Sequence, residues 1–523
     1  MSIKIYKYID FNLSGILVNF NNAEETNVEV GLFLNNNKID SIITKENHHL
    51  FNIDKSGDYH AEVTYETLSK SKQKLNSKAI TFNINNIQTQ VKEYNSPVKT
   101  KTINQKVAGV NNYKLDIKVL KGKYTLLETK LLIDLIPINI APVNSTNSQP
   151  ISQYDYVTYD KETDFESLLQ LANLIETFEY VEYVEYCCVT PNTALYTPPQ
   201  LPFNQNPPEN TEQVDNVDDI TPNFNHLQTY LDAPKGMNIR NAWNKHVNGS
   251  KAVVRHLDFG VYKNHEDLKD SKITVVYSRP ETEDCNHGTA STGCIVATNN
   301  AFGVTGIAYD CQYYFYDTGD LDILTKHVAP GDIVSLDIQF KINEKLLPAT
   351  AIRSWWERIK IMVDKGAVVI LAAGNGGLDL NLPGVMADYG DSGSMLVGAC
   401  NHLSGTRAYF SNYNQKTSLI NSWGDWSVTT TGYSSLQKLP GNNRNYSKDY
   451  SGTSSATPLC SGALALIQDY AKQNEIVLSA WGMREIIKKS TYTEGVDYGI
   501  GYRPNVDDLL AEIDKLSQIT GAN

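Results

Sequence analysis

Beyond residue 229 the chain alternates between short apolar runs and stretches of helical spacing, and this restricts its fold more than any other feature. The runs are Ala252-Val253-Val254, Ile333-Val334, Ala367-Val368-Val369-Ile370-Leu371 and Met395-Leu396-Val397. Each is apolar at consecutive positions rather than at every second one, so both faces of such a strand must be covered. Strands of that kind, interleaved with helices, form a mostly parallel sheet with helices on either side. A doubly wound α/β unit over residues 229–518 is therefore expected. Parallel sheets present functional side chains at the carboxyl ends of their strands.

A chain of 523 residues is too long for one hydrophobic core, and the remainder divides by composition. Residues 1–112 are rich in Asn, Lys, Thr and Ser. Val28, Val30, Leu32 and Leu34 recur with period two, as do Tyr59, Ala61, Val63 and Tyr65, which reads as a small β-sandwich-like accessory domain. The stretch Asp54-Lys55-Ser56-Gly57-Asp58-Tyr59 loosely resembles a corner of immunoglobulin-like domains. In residues 113–192, Phe165, Leu168, Leu169, Ala172 and Ile175 fall at helical spacing behind the capping residues Thr163 and Asp164. A strand-like run over 179–186 follows, so this region reads as a small α+β unit. Residues 193–228 hold Pro198, Pro199, Pro202, Pro207, Pro208 and Pro222 among Asn, Asp and Glu, the composition of an extended linker.

Charge excludes some partners. Lys and Arg number 46 against 59 Asp and Glu, a formal net charge of −13, which repels nucleic acid and anionic membranes. No run of about 18 apolar residues predicts a membrane span. Residues 1–10 lack the apolar segment of a secretory signal. The seven cysteines (Cys187, Cys188, Cys285, Cys294, Cys311, Cys400 and Cys460) are an odd number without metal-type spacing. Free thiols in a reducing compartment are expected, in a protein that is cytoplasmic or exported without a cleavable signal.

The strongest chemical signal is Ser451-Gly452-Thr453-Ser454-Ser455-Ala456-Thr457-Pro458, followed by the small residues Gly462, Ala463 and Ala465. A serine hydroxyl is a weak nucleophile that needs a base beside it. At a helix N-terminus it also gains backbone N–H groups that face a developing oxyanion. This segment resembles the nucleophile motif of the subtilisin-like serine proteases, or subtilases. The resemblance implies partners upstream in the order Asp, His, Ser. Val253-Val254-Arg255-His256-Leu257-Asp258 is a strand ending in an aspartate, and Asn286-His287-Gly288-Thr289 opens a small-residue helix 29 residues later. Histidine suits the base role because its ordinary pKa lies near 6.5. Leu371-Ala372-Ala373-Gly374-Asn375-Gly376-Gly377 resembles the family's oxyanion segment, with Asn375 as side-chain donor. The likeness continues through Gly303–Ala308 and Tyr498–Tyr502.

What the resemblance implies is a serine endopeptidase with a subtilisin-like domain over 229–518, Ser454 as nucleophile, His287 as general base, Asp258 as its orienting carboxylate and Asn375 at the oxyanion. Val334-Ser335-Leu336-Asp337 is similar to the family's substrate-pairing strand, so Ser335, Leu336 and Asp337 are expected to bind substrate. Asp337 stands where a glycine is usual, and a side chain there would narrow or acidify the specificity pocket. Ala372, Ala373 and Gly374 are expected as a second pocket wall. Residues 113–192 resemble the end of a prodomain and are expected to act as an intramolecular inhibitor of a zymogen. The partner is a protein or peptide substrate. The chemistry requires no metal or cofactor. Calcium is common in the family, but no acidic cluster here has a spacing that names ligands. His256 and His265 are expected at the surface, and Cys285 and Cys294 as buried, inert thiols. Two other functions share the motifs: a transpeptidase or macrocyclase that passes the acyl group to an amine, and a catalytically silent peptide-binding module.

Overall fold

The structure is a computed structural model. It describes residues 2–10, 14–22, 26–66, 72–86, 114–120, 122–123, 140–142, 154–159, 165–187, 192–193 and 220–521, except 283, 343, 387–388 and 415–417. Thr163, Asp164, Cys188 and most of the proline-rich stretch lie outside the described residues.

The alternation beyond residue 229 becomes a seven-stranded sheet. Its order is Ile273–Val275, Gln312–Asp317, Val253–Asp258, Ile333–Leu336, Val368–Ala372, Met395–Cys400 and Ser418–Trp423. Every adjacent pair is parallel. The apolar runs lie here because strands covered on both faces have no position to spare for water: Val254, Ile333, Val368, Ile370 and Val397 are all fully buried. Chain order reverses beside Val253–Asp258, so the connections leave that strand in opposite directions and open a crevice at its carboxyl end. Two helices reach that crevice, Cys285–Val296 and Thr453–Gln473. The second is buried along almost its whole length and forms the centre of the core with Leu459, Ala463, Leu464 and Ile467.

Close approach explains two glycines. A Cβ on Gly288 would lie 2.0 Å from the carbonyl oxygen of Gly260, so only glycine lets the His287 helix rest on the loop after Asp258. Gly452 has a φ of +84°, which turns the chain into the helix that carries Ser454.

The N-terminal strands form two sheets. One has the order Asn37–Thr44, Val28–Leu34, Gly57–Glu66 and Lys72–Asn76, with Ile80–Phe82 also on Gly57–Glu66. Val28, Val30, Leu32, Tyr59, Ala61 and Val63 point into its core, as period two requires, whereas Leu34 and Tyr65 are half-buried. The Tyr59 hydroxyl donates to the Lys55 carbonyl. The other sheet joins Ile3–Ile9, Ser14–Phe20 and His48–Ile53, and adds Ile476–Leu478 from the far end of the chain. Ile3–Ile9 pairs with that strand in parallel, Lys7 opposite Ile476 and Ile9 opposite Leu478. This contact lies at the amino ends of the central strands: Tyr8 abuts Gly366, just before Val368–Ala372. The crevice lies at the opposite ends.

Between these parts, Ile140–Pro142, Tyr154–Tyr159, Lys114–Leu120 and Val181–Cys187 form an antiparallel sheet in that order, with the helix Phe165–Ile175 preceding its last strand. Lys118 reaches Glu357 on the helix Arg353–Asp364 through a buried ion pair of 3.1 Å. No helix among the described residues is long and apolar enough to cross a membrane.

Candidate active site

Asp258 is the last residue of its strand, His287 stands in the first turn of Cys285–Val296, and Ser454 in the first turn of Thr453–Gln473. The fold brings the three together. His287 Nδ1 lies 2.6 Å from Asp258 Oδ1, and His287 Nε2 lies 2.7 Å from Ser454 Oγ. With Nδ1–H donating to the carboxylate, Nε2 is left as an acceptor for the serine hydroxyl. An imidazole so placed can remove the hydroxyl proton, and the carboxylate can offset the charge it then carries. Asp258 is fully buried, which alone would raise its pKa. His287 and His256 outweigh burial and hold it well below the usual carboxylate range. Oδ1 also accepts the Phe259 N–H at 2.6 Å, and Oδ2 contacts His256 Nε2 at 3.0 Å. The His287 ring meets Phe259 and Tyr450 edge to face.

Asn375 follows the strand Val368–Ala372. Its Oδ1 accepts from the Thr453 N–H at 3.0 Å and the Thr453 hydroxyl at 3.1 Å, which fixes the amide so that Nδ2 faces away from Thr453. Its own N–H donates to Gln339 Oε1 at 2.9 Å. Asn412, which no sequence signal marked, holds the rest of this loop. Its Oδ1 accepts from the N–H groups of Gly376 and Leu378, and its Nδ2 donates to the carbonyls of Leu346 and Ala373.

The expected substrate residues are placed differently from the sequence reading. Ser335 and Leu336 are fully buried and paired on both sides, with His256 and Leu257 on one strand and Ile370 and Leu371 on the other. A strand so engaged has no edge to offer a peptide. The edge begins two residues later, where Ile338 and Gln339 pair antiparallel with Thr193 and Asn192. The Asp337 carboxyl is also fully buried and turns to Ser291, not to a solvent-facing pocket. Ala372, Ala373 and Gly374 are buried, and exposure begins at Gly376. His256 and His265, expected at the surface, are fully buried. Each is held by a hydrogen bond, His256 to Asp258 on its own strand and His265 to the distant Asn445 carbonyl. Cys285 and Cys294 are buried, and burial pushes the Cys294 thiol up to about 12.

Among the described residues one grouping of three ligating side chains occurs, His256, Asp258 and Asp337, with atoms within 4.8 Å of one another. Calcium takes about six to eight oxygen ligands. A dry cluster with an imidazole nitrogen, one carboxylate already bonded to it, does not fit that ion.

Residues 249–503 match the model of the subtilase family. Subtilisin E of Bacillus subtilis is 28% identical over 230 residues, covering 42% of this chain and 56% of that protein. The thermostable alkaline protease of Halalkalibacterium halodurans is 31% identical over 246 residues, covering 44% of this chain and 61% of that protein. Among solved structures, a protease from Pseudoalteromonas arctica matches with a TM-score of 0.44 at 22% identity, over 56% of this chain and 99% of that one. The chain thus spans little more than half the length of subtilisin E. Over residues 249–503, then, this chain is similar to the subtilase family of serine proteases.

Proposed function

We propose that this protein is a serine endopeptidase that cleaves peptide bonds through an acyl-enzyme on Ser454. The observation that carries the reading is the unbroken run of hydrogen bonds from Asp258 through His287 to Ser454, at 2.6 and 2.7 Å. As Oγ attacks the scissile carbonyl carbon, its proton passes to His287 Nε2, and Asp258 stabilises the imidazolium. The carbonyl oxygen, now anionic, takes hydrogen bonds from Asn375 Nδ2 and from the Ser454 N–H in the first turn of its helix. Collapse expels the amine, which takes the proton back from His287. A water activated by the same imidazole then releases the acid. The peptide lies along the edge at Ile338–Gln339, adding a strand as Asn192–Thr193 does.

That last pairing supports a second part of the reading, in which residues 113–192 hold the enzyme as its own zymogen. Asn192 and Thr193 occupy the edge a substrate would use, Lys118 anchors the preceding sheet to the peptidase, and Ser454 is fully buried.

The test is hydrolysis of a peptide library by the wild type and by Ser454→Ala. Cleavage by the first and none by the second is expected. Retained cleavage in Ser454→Ala overturns the assignment. Mass spectrometry of the products separates free acids from peptides joined to an amine. Intact mass during storage should show cleavage between residues 186 and 228 in the wild type alone.

A further inference from the structure

Behind the three residues of the relay lies a second carboxyl that the peptidase reading does not use. Asp337 is fully buried on the strand edge between Leu336 and Ile338. Its Oδ2 accepts from Ser291 Oγ at 2.6 Å, and Ser291 sits one turn beyond His287 on the same helix. Ser291 in turn bonds the Tyr450 hydroxyl at 2.8 Å, which lies 3.5 Å from His287 Nε2. Asp337 Oδ1 is buried with no hydrogen-bond partner, an arrangement a carboxylate anion does not tolerate without water. The Ser454 hydroxyl also bears on this carboxyl.

Two carboxyls a few ångströms apart in a dry site do not both ionise. Asp258 has the stronger claim to the charge, because it receives His287, His256 and the Phe259 N–H. Asp337 faces Asp258 and His256 from one strand and Tyr313 from the next. From the His287 helix it faces His287 and Cys294, and from the far side Tyr433 and Tyr450. The thiol and all three phenols are kept neutral by burial, and neither lysine nor arginine is among these groups. The two imidazoles are the groups among these that could offset a negative charge, and both are bonded to Asp258. Burial first, and the Asp258 charge second, push its carboxyl well above the ordinary range.

We infer that Asp337 is a proton-bearing positioning residue, tying the His287 helix to the substrate strand through Ser291 and leaving the Ser454 hydroxyl no acceptor but His287. With Ser291 donating to Oδ2, the Asp337 proton sits on Oδ1. A carboxyl that already carries its proton is a poor acceptor and does not compete with His287 for the serine proton. Ionisation at alkaline pH would make it such a competitor. The role at Ser454 rests on the peptidase reading, but the protonation state does not.

The test has two readouts on the full chain. The first is the infrared difference spectrum of wild type minus Asp337→Asn at pH 7, in which the C=O stretch of a protonated carboxylic acid is expected. A carboxylate band instead overturns the inference whether or not the protein turns over a substrate. The second is the pH profile of kcat/KM for wild type, Asp337→Asn and Asp337→Ala. A neutral Asp337 leaves the acid limb of Asp337→Asn where it is in wild type and moves only the alkaline limb outward. Asp337→Ala should lower kcat by about tenfold with a smaller change in KM, because the tie to Ser291 is lost. An acid limb displaced by about one pH unit or more in Asp337→Asn would mean that a charge had been removed beside the relay, and refutes the assignment. A protonated-acid band in a protein with no hydrolysis would keep Asp337 as assigned and sink the peptidase reading.

Discussion

Lys118 and Glu357 join the sheet of residues 114–187 to the peptidase, and replacing Lys118 by Met should open the active site without touching it. The side chains are 11% and 6% exposed and 3.1 Å apart, so the pair works in a medium far less polar than water. Removing one partner of a buried pair costs about 3–5 kcal/mol when the other charge is left alone. Glu357 is not left alone, because Arg353 Nε remains 3.6 Å away on the same helix. The cost of Lys118→Met is therefore reduced to about 1–2 kcal/mol, a shift of about 5–30-fold in the balance between docked and undocked sheet. The methionine stem keeps most of the apolar packing of the lysine chain.

If the docked sheet holds Asn192–Thr193 on the edge at Ile338–Gln339, access to Ser454 scales with the undocked fraction. The assay is the second-order rate of Ser454 labelling by a fluorophosphonate, which should rise by about 5–30-fold in Lys118→Met. Lys123→Met, at an exposed position nearby, serves as the control and should leave the rate unchanged. Glu357→Gln takes the carboxylate from both cations and should exceed Lys118→Met. In the double variant the two effects should fall short of additivity, since each removes the same contact. An unchanged labelling rate in Lys118→Met, or strictly additive effects in the double variant, would refute the idea that this ion pair controls access.

Three further outcomes are expected. Asn412→Ala removes four hydrogen bonds, three of them to the loop that carries Asn375 and two of those from backbone N–H groups, and should destabilise the fold by about 2–4 kcal/mol in urea titration while lowering kcat more than it changes KM. His265 is buried against the Asn445 carbonyl, and burial lowers its pKa from 6.5 to about 4. The unfolded chain thus takes up this proton first. Stability from His265 is complete above pH 6.5 and lost as pH falls toward 4, by at most about 3 kcal/mol, and the loss should flatten in His265→Gln, followed by thermal melts across that range. Finally, a single nick between residues 194 and 219 should leave the two pieces together in size-exclusion chromatography, because Ile3–Ile9 stays paired with Ile476–Leu478 and Tyr8 stays against Gly366; separation of the pieces in native buffer would contradict that pairing.

What the sequence made legible was set locally. Asp258, His287, Ser454 and Asn375 each stand where a strand ends or a helix begins, and the residues that define such a boundary are immediate neighbours: Gly452 before Ser454, Gly288 after His287, Gly374 before Asn375. What it hid depends on distant partners. Val334-Ser335-Leu336 is apolar enough to be a strand, but the stretch does not say how far its neighbours run. Val253–Asp258 supports Ser335 and Leu336 and then ends, so the free edge starts at Ile338 and not at Ser335. The same termination buries Asp337 beside Asp258, a carboxyl that read as a pocket residue when only its chain neighbours were known. Asn412 is similarly invisible, because its four bonds go to backbone atoms of two other loops and leave no pattern in its own vicinity. His256 falls between the cases. Two residues before Asp258 on one strand, it had to share a face with it, and that face was the interior. Period two thus already placed a second imidazole beside the carboxylate, and this imidazole is one of the groups that leave Asp337, not Asp258, to carry the proton.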